Sequence, residues 1–182
     1  MKRILLLTLA IALSSPALHA QLRVGAKGGG SFSYHTQQIA TGEWRNSGHV
    51  GLIANLYLFE FSFGGFAVQP EAVYNRKGGN GLQCDYVDVP LCLMFRLSLP
   101  HSAPVIFAAP YYSFLVRKRA IYPEVEDFSV ASRDYGVMVG GGVELQFFQL
   151  TAAYTMGMNQ LASDAKAYNR GVEVSLGFFF LR

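Results

Sequence analysis

Three features of the sequence predict an all-β fold, an eight-stranded antiparallel up-and-down transmembrane β-barrel that follows an N-terminal signal peptide. A short leader precedes eight segments in which apolar and polar residues alternate. The connections between these segments are alternately long and short, as in hairpins that cross a bilayer. Charged residues make up only 15% of the chain, against about 25% in an average soluble domain.

The leader, residues 1–20, has the organisation of a secretory signal peptide. A basic start precedes an apolar run of about ten residues and a small-residue end. We place the cleavage after Ala20, with cleavage after Ala17 as the alternative. The apolar run is shorter than the roughly twenty residues that a membrane helix needs. The barrel domain is therefore predicted to cover residues 21–182, in which basic and acidic residues nearly balance and do not indicate nucleic-acid binding.

Alternation assigns a lipid-facing side to every predicted strand except the fifth. Every second residue is predicted to face outward in the segments 22–26, 50–58, 66–74, 87–97, 135–145, 150–156 and 172–180. The fifth strand, about 105–116, is apolar on both faces, so its phase stays open. A soluble sandwich or lipocalin with its apolar face inward would show the same alternation. Small, glycine-rich polar faces favour the lipid-facing arrangement, because the interior of a narrow barrel is crowded.

The polar faces carry the candidate site of this protein, a network of charged side chains in the lumen. Its predicted members are Arg23, Lys27, Glu71, Asp88, Arg96, Asp134, Glu144 and Glu173. Eight strands leave an interior just wide enough for side chains. We therefore expect these charges to pair with one another and plug the lumen, with Glu71 and Asp88 near Arg96 or Lys27.

Prolines and cysteines within the strands add two expectations. Pro70, Pro90 and Pro110 each remove a ladder hydrogen bond, and a closed barrel has no edge to hide them, so we expect bulges there. Cys84 and Cys92 fall on one strand, where eight residues span about 26 Å. Bridged Cα atoms lie within about 7 Å, so we expect no disulfide.

Four segments together resemble the PorT-like family of small outer-membrane β-barrels. They are VQPEAVYNRKG (68–78), YVDVPLCLMFRL (86–97), AAPYYSFL (108–115) and DYGVMVGGGVEL (134–145). Their order and spacing cover nearly all of the mature chain. The resemblance implies an eight-stranded barrel in the outer membrane, and some family members are linked to protein secretion. Asp88 stands where the family often has Glu.

Several other motifs have simpler interpretations than a catalytic or ligand-binding role. The glycines at 28–30 and 140–142 precede no helix and match no phosphate-binding motif, so close packing in a narrow lumen explains them. Two serine–histidine pairs, Ser33 with His35 and Ser47 with His49, fall near the predicted outer rim without a third partner. The histidines also lack the spacing of a metal site.

We therefore predict an integral protein of the bacterial outer membrane with a plugged lumen, no enzymatic activity, no cofactor and no metal. A structural or interaction role in a secretion or envelope assembly is the leading hypothesis. A barrel that binds or transports a small ligand is the alternative, followed by a lipid-modifying outer-membrane enzyme. The expected partners are outer-membrane lipid and proteins that contact the extracellular loops, with no nucleic acid, and we expect a monomer.

Overall fold

The computed structural model describes residues 22–35, 45–78, 82–120, 132–159 and 168–181. The predicted signal peptide lies outside these ranges. Within them, no helix has the length and apolar character needed to cross a membrane.

Eight antiparallel strands pair in chain order, and the first pairs with the last to close the barrel. The strands are β1 (Leu22–His35), β2 (Arg45–Phe61), β3 (Gly64–Gly78), β4 (Leu82–Leu97), β5 (Ala103–Ala120), β6 (Arg133–Leu145), β7 (Phe148–Gly157) and β8 (Asn169–Leu181). The predicted fold class is confirmed. Closure pairs every strand on both sides and leaves no free edge, which a strand in lipid requires.

The two faces of each strand follow the predicted alternation. On the seven strands whose phase the alternation predicts, the apolar positions face outward and their polar neighbours are buried in the lumen. On β5, whose phase was open, the odd-numbered residues from Ala103 to Ser113 face inward. Strand five is apolar on both faces because its lumen side packs Val105, Ala109 and Tyr111 into a small hydrophobic cluster.

The two ends of the barrel differ in how the strands are connected. Short turns at residues 62–63, 98–102 and 146–147 lie at one end, together with the start of β1 and the end of β8. Short turns and both termini belong to the periplasmic side. At the other end β2 and β5 reach 17 and 18 residues, more than the roughly 9–11 that a bilayer needs. These strands therefore extend beyond the bilayer on the outside.

The three strand prolines do not cause bulges, and that prediction was wrong. The register of β3 against β4 and of β5 against β6 is unbroken at Pro70 and Pro110, and the register of β4 against β5 is unbroken at Pro90. A proline lacks an N–H but adds no residue, so one hydrogen bond is lost without a shift. In the described strands, the register shifts lie at Val24/Gly25, Tyr57/Phe59 and Asp85/Tyr86.

Both cysteines lie in β4, as predicted. Cys84 and Cys92 are buried and form no disulfide with each other. The expectation that they form no disulfide with each other is confirmed.

Candidate functional site

The lumen contains most of the predicted charged network. Seven of the eight predicted residues are buried inside the barrel, namely Arg23, Lys27, Glu71, Asp88, Asp134, Glu144 and Glu173. Inward positions on strands from all sides of the barrel bring these side chains together. They form three layers, namely a periplasmic, a middle and an outer layer.

The periplasmic layer is centred on an ion pair between Arg23 and Glu144. Arg23 Nη1 lies 3.1 Å from Glu144 Oε2, and the Tyr57 hydroxyl donates to the same carboxylate at 2.8 Å. Arg23 Nη2 donates to the carbonyl oxygen of Gln146 at 2.8 Å. The guanidinium carbon lies 3.9 Å from the ring centroid of Phe179. Both charges are thus held by hydrogen bonds in addition to their pairing, which a buried ion pair requires to be tolerated.

The middle layer is built around Lys27 and Glu71. Lys27 Nζ lies 2.6 Å from Glu71 Oε2, and Gln69 Nε2 donates to the other carboxylate oxygen at 2.8 Å. Gln69 also exchanges hydrogen bonds with Gln149 across the barrel, at 3.1 and 3.2 Å. Asn55 Nδ2 donates to Gln69 Oε1 at 2.8 Å. This layer therefore joins β1, β2, β3 and β7 by side-chain hydrogen bonds.

The outer layer contains an ion pair between Lys77 and Asp88 at 2.8 Å. The Ser113 hydroxyl also donates to Asp88. Asn75 Nδ2 links two carboxylates, with 3.1 Å to Asp88 Oδ2 and 2.7 Å to Glu173 Oε1. The outer layer therefore contains one ammonium group, that of Lys77, against the two carboxyl groups of Asp88 and Glu173.

Sequence reasoning missed Lys77 and the neutral members of the network. The predicted alternation of the third strand ends at Tyr74, because residues 75–80 are all polar or glycine and show no apolar face. The structure continues β3 to Gly78 and turns Lys77 inward. The odd-numbered phase of β3, continued two residues further, would have found it. Asp134 accepts a hydrogen bond from Asn169 Nδ2 at 2.9 Å, a pairing between β6 and β8 that no local pattern reveals.

Arg96 is not part of the buried network that the sequence predicted. Its guanidinium lies at the periplasmic mouth, 3.4 Å from Glu60 Oε1, and its Nε is 3.9 Å from Glu144 Oε2. It is the last inward position of β4, and beyond it the strand leaves the lumen. Glu71 and Asp88 were predicted to lie near Arg96 or Lys27. Glu71 does pair with Lys27, whereas Arg96 contacts neither of the two carboxylates.

Below the periplasmic layer the lumen widens into a vestibule of about 660 Å³. It is lined by Arg23, Tyr57, Glu60, Arg96, Glu144 and the turn residues 99–103 and 145–148. The Nε atoms of Arg23 and Arg96 are buried and have no hydrogen-bond partner among the described residues. Both Nε atoms are inaccessible to solvent, so it is the other parts of the two guanidinium groups that line the cavity.

The two predicted serine–histidine pairs do not form at an outer rim. His49 and Ser33 are buried in the lumen. Ser47 Oγ donates to the carbonyl oxygen of Ser31 at 3.3 Å instead of contacting His49. The side chain of His35 lies outside the described part of the chain.

His49 instead bridges two serines that the sequence did not connect with it. Its Nδ1 lies 2.8 Å from Ser31 Oγ and its Nε2 lies 2.8 Å from Ser175 Oγ. Ser31 Oγ also donates to Asn75 Oδ1 at 3.0 Å, so the Nδ1 of His49 carries the proton and donates to Ser31. The hydroxyl of Ser175 then donates to Nε2, which is the hydrogen bond of a nucleophile–base pair. All four side chains are buried, so membrane lipid does not reach this pair.

Within the part of the chain that the structure describes, no group of three or more His, Cys, Asp or Glu side chains is arranged to hold a metal ion.

The outer surface of the barrel is an apolar band without charges. Outward side chains such as Leu52, Leu93 and Leu176 are more than half exposed. None of the outward positions in the segments 22–32, 50–58, 66–74, 87–97, 104–114, 135–145, 150–156 and 172–180 is charged. A soluble protein rarely exposes so large an apolar area, whereas a hydrocarbon environment requires it.

Comparison with known proteins gives a second line of evidence on where the barrel is located in the cell. No family model matches the chain, and no curated protein matches its sequence. The crystal structure of the outer membrane enzyme PagL matches with a TM-score of 0.52 and 11% identity, over 85% of this chain and 98% of its own. The shared fold and the uncharged outer band together decide the location. The protein is an outer-membrane β-barrel.

Two further structures resemble the barrel at lower TM-scores. Ail, the attachment invasion locus protein of Yersinia pestis, matches over 88% of this chain and 99% of its own, with a TM-score of 0.43 and 9% identity. Neisserial surface protein A matches over 87% and 97%, with a TM-score of 0.48 and 12% identity. At such identities only the general fold is comparable.

The prediction that the protein is not an enzyme was wrong. PagL is an outer membrane enzyme and has the same fold. The shared barrel fold therefore provides no ground for excluding catalysis.

Proposed function

We propose that this outer-membrane barrel is non-conducting and acts as a binding scaffold of the cell envelope. The observation that supports a closed lumen is the set of three polar layers that cross it. Each layer contains a buried ion pair, Arg23–Glu144, Lys27–Glu71 or Lys77–Asp88, at 2.6–3.1 Å. An ion that crossed the barrel would have to separate all three pairs in turn.

The energetic cost of opening such a layer supports a closed lumen. Breaking a buried ion pair leaves an uncompensated charge and typically costs about 3–5 kcal/mol. In the middle layer the hydrogen bonds of Gln69 and Gln149 would be lost as well. A barrel that held these charges apart for an aqueous path would instead leave them individually solvated.

Planar-bilayer recording tests the closed lumen. The wild-type protein is expected to give no steady channel. The variant Arg23→Ala, Glu144→Ala, Lys27→Ala, Glu71→Ala, Lys77→Ala, Asp88→Ala removes all three ion pairs and should conduct at least intermittently if it folds. The matched variant Leu93→Ala changes only the lipid-facing side and should stay silent. Steady conductance by the wild-type barrel would refute the proposal, whatever the variants do.

The finer placement that we propose is a PorT-like barrel in a secretion or envelope assembly. It is supported by the resemblance of four segments and by β2 and β5, which extend beyond the bilayer and offer outer strand ends to a partner. A photo-crosslinking residue at Asn46, which is exposed at the outer end of β2, should capture protein in intact cells. The same residue at Leu93 in the apolar band should capture only lipid. Equal protein capture at both positions, or none at Asn46, would argue against a partner at the outer strand ends.

A second candidate function is binding of a small anion in the periplasmic vestibule. Its volume of about 660 Å³ lies within the range of about 300–1,000 Å³ for ligand sites. The guanidinium groups of Arg23 and Arg96, which both line the vestibule, favour an acidic ligand. Titration with succinate should shift the Nε–Hε NMR signals of both arginines, and neutral succinamide should not. Absence of a shift with succinate would contradict this candidate.

A further inference from the structure

Four arginines lie on the outer surface of the barrel, directly beyond the apolar band on its extracellular side. Arg76, Arg117 and Arg133 are exposed and Arg170 is half-exposed. Arg76, Arg133 and Arg170 face outward, because each is adjacent in sequence to a side chain that is buried in the lumen, respectively Lys77, Asp134 and Asn169. Arg117 faces outward because it pairs with Asp85, whose neighbours in sequence are buried. The apolar outer positions of β3 end at Tyr74, those of β6 begin at Tyr135 and those of β8 begin at Val172. The arginines thus mark one height around the barrel.

Three of these arginines share one side of the barrel, and we call Arg76, Arg117 and Arg133 the arginine arc. Arg76 and Arg117 occupy the same rung, on either side of Asp85. Two strand spacings separate them by about 10 Å, which two long side chains can close onto one group. Arg133 pairs with Phe114 on the neighbouring strand, a few residues below Arg117.

The guanidinium groups of the arc are not neutralised within the described structure. None of the three forms an ion pair or a side-chain hydrogen bond with another described residue. The carboxylate of Asp85, which lies between two of them, instead accepts a hydrogen bond from the Tyr74 hydroxyl at 2.8 Å. In the lumen of the same protein, by contrast, Arg23 has three partners.

Aromatic side chains lie at and just below the level of the arc, where Phe114 is the pairing partner of Arg133. Tyr112, Phe114 and Tyr135 are exposed, with the rings of Tyr112 and Phe114 in edge contact at 5.0 Å. Tyr112 pairs with Tyr135 across β5 and β6. Exposed aromatic residues mark the level of the lipid headgroups in membrane barrels. The arc, which lies at and just beyond this level, is therefore at the height of the headgroups and their phosphates.

We propose that the arginine arc binds the phosphate groups of a phosphorylated lipid in the outer leaflet. Arginine presents a planar fork of donors that matches a phosphate with two hydrogen bonds. Three such forks converge above an apolar wall, so that acyl chains can lie along β3–β6 while the phosphates meet the guanidiniums. The site is independent of whether the lumen conducts.

Native mass spectrometry of the detergent-solubilised barrel provides the test. The probe is lipid A with two phosphates, and the control lipid is the same molecule after removal of both phosphates. The wild-type protein should retain the phosphorylated lipid in preference to the control. Because each basic residue near a membrane surface contributes a factor of about five, the variant Arg76→Gln, Arg117→Gln, Arg133→Gln should bind about a hundredfold more weakly.

Arg170→Gln is the matched control variant. Arg170 also faces outward beyond the apolar band, but its strand neighbours at that height are Tyr34 and Met156, with no second arginine. This variant should retain at least a fifth of the wild-type affinity. Migration of unheated samples on a gel establishes that every variant is folded.

Three outcomes would overturn the proposal. The first is undiminished binding of the phosphorylated lipid to the folded triple variant. The second is equal binding of the lipid without phosphates to the wild-type barrel. In the third, inorganic phosphate binds the arc as tightly as the lipid and displaces it at equal concentration, which would make free phosphate the ligand instead of a membrane lipid.

Discussion

Lys77 Nζ lies 2.8 Å from Asp88 Oδ2 inside the barrel, where β3 and β4 run side by side. Both side chains are buried. The pair stands at the centre of the outer layer, because Asp88 also accepts hydrogen bonds from Asn75 and Ser113. Lys77 is therefore the residue on which the charge balance of this layer depends.

Replacement of Lys77 by Met should strongly destabilise the barrel. The variant leaves Asp88 buried without its cation and close to Glu173, which shares Asn75 with it. Loss of one partner of a buried pair typically costs about 3–5 kcal/mol. Urea unfolding in detergent micelles, followed by tryptophan fluorescence or gel mobility, measures the loss.

The double variant Lys77→Met, Asp88→Asn serves as the control for this prediction. It removes both charges and should recover part of the lost stability, because no unpaired carboxylate remains at that position. If the single and double variants are equally unstable, the charge pairing does not explain the effect and the loss of packing does.

Most of the fold could be predicted from the sequence, because a two-residue period is a local property. Residues such as Leu91 and Cys92 reveal opposite faces without knowledge of any other strand. The inward position of Lys77 was not predicted, because the outer end of β3 has polar residues on both faces and therefore shows no alternation of apolar and polar residues. The inward and outward faces of β5 could not be predicted for the opposite reason, since both of its faces are apolar.

The partners within the lumen could not be predicted, because they depend on the stagger of strands around the closed barrel. Arg23 and Glu144 are 121 positions apart and meet only through closure of β1 onto β8. Arg96 was expected in the network because it has the inward phase of β4. Its height in the barrel, which phase alone does not give, puts it at the mouth with Glu60.

Arg23 and Arg96 should respond differently to replacement by Met. Arg23 is buried with three hydrogen bonds, so Arg23→Met should lower the free energy of unfolding by about 3 kcal/mol or more. The Glu60 partner of Arg96 is 58% exposed, and an exposed pair contributes about 0–1 kcal/mol. Thermal unfolding of both variants compares them directly. A larger loss for Arg96→Met would contradict the assigned positions.

Arginine in the apolar band should impair folding. Leu91 on β4 and Val139 on β6 face outward with exposures of 42% and 40%. A charge at either position would lie in hydrocarbon, which costs about 2–4 kcal/mol near the midplane. Refolding yields into lipid vesicles should fall for Leu91→Arg and Val139→Arg. Ser62 lies in the exposed β2–β3 turn, so the variant Ser62→Arg should refold like the wild type. Normal yields for all three would be incompatible with the assigned outer face.

The glycines of the lumen and of the lipid face should differ in their tolerance of alanine. A Cβ at Gly142 would lie 2.0 Å from the carbonyl oxygen of Leu150 and 2.8 Å from Thr151 Cα, both backbone atoms of the adjacent strand. The closed barrel prevents that strand from moving away, so Gly142→Ala should cost about 1–3 kcal/mol through overpacking. Gly28 faces the lipid, and a Cβ there would meet its nearest atom, the carbonyl oxygen of His49, at 3.5 Å. Gly28→Ala should therefore be neutral or slightly stabilising, because alanine loses less backbone entropy on folding. Urea titrations of the two variants decide between this account and a uniform preference for glycine in the strands, which would make both substitutions equally harmful.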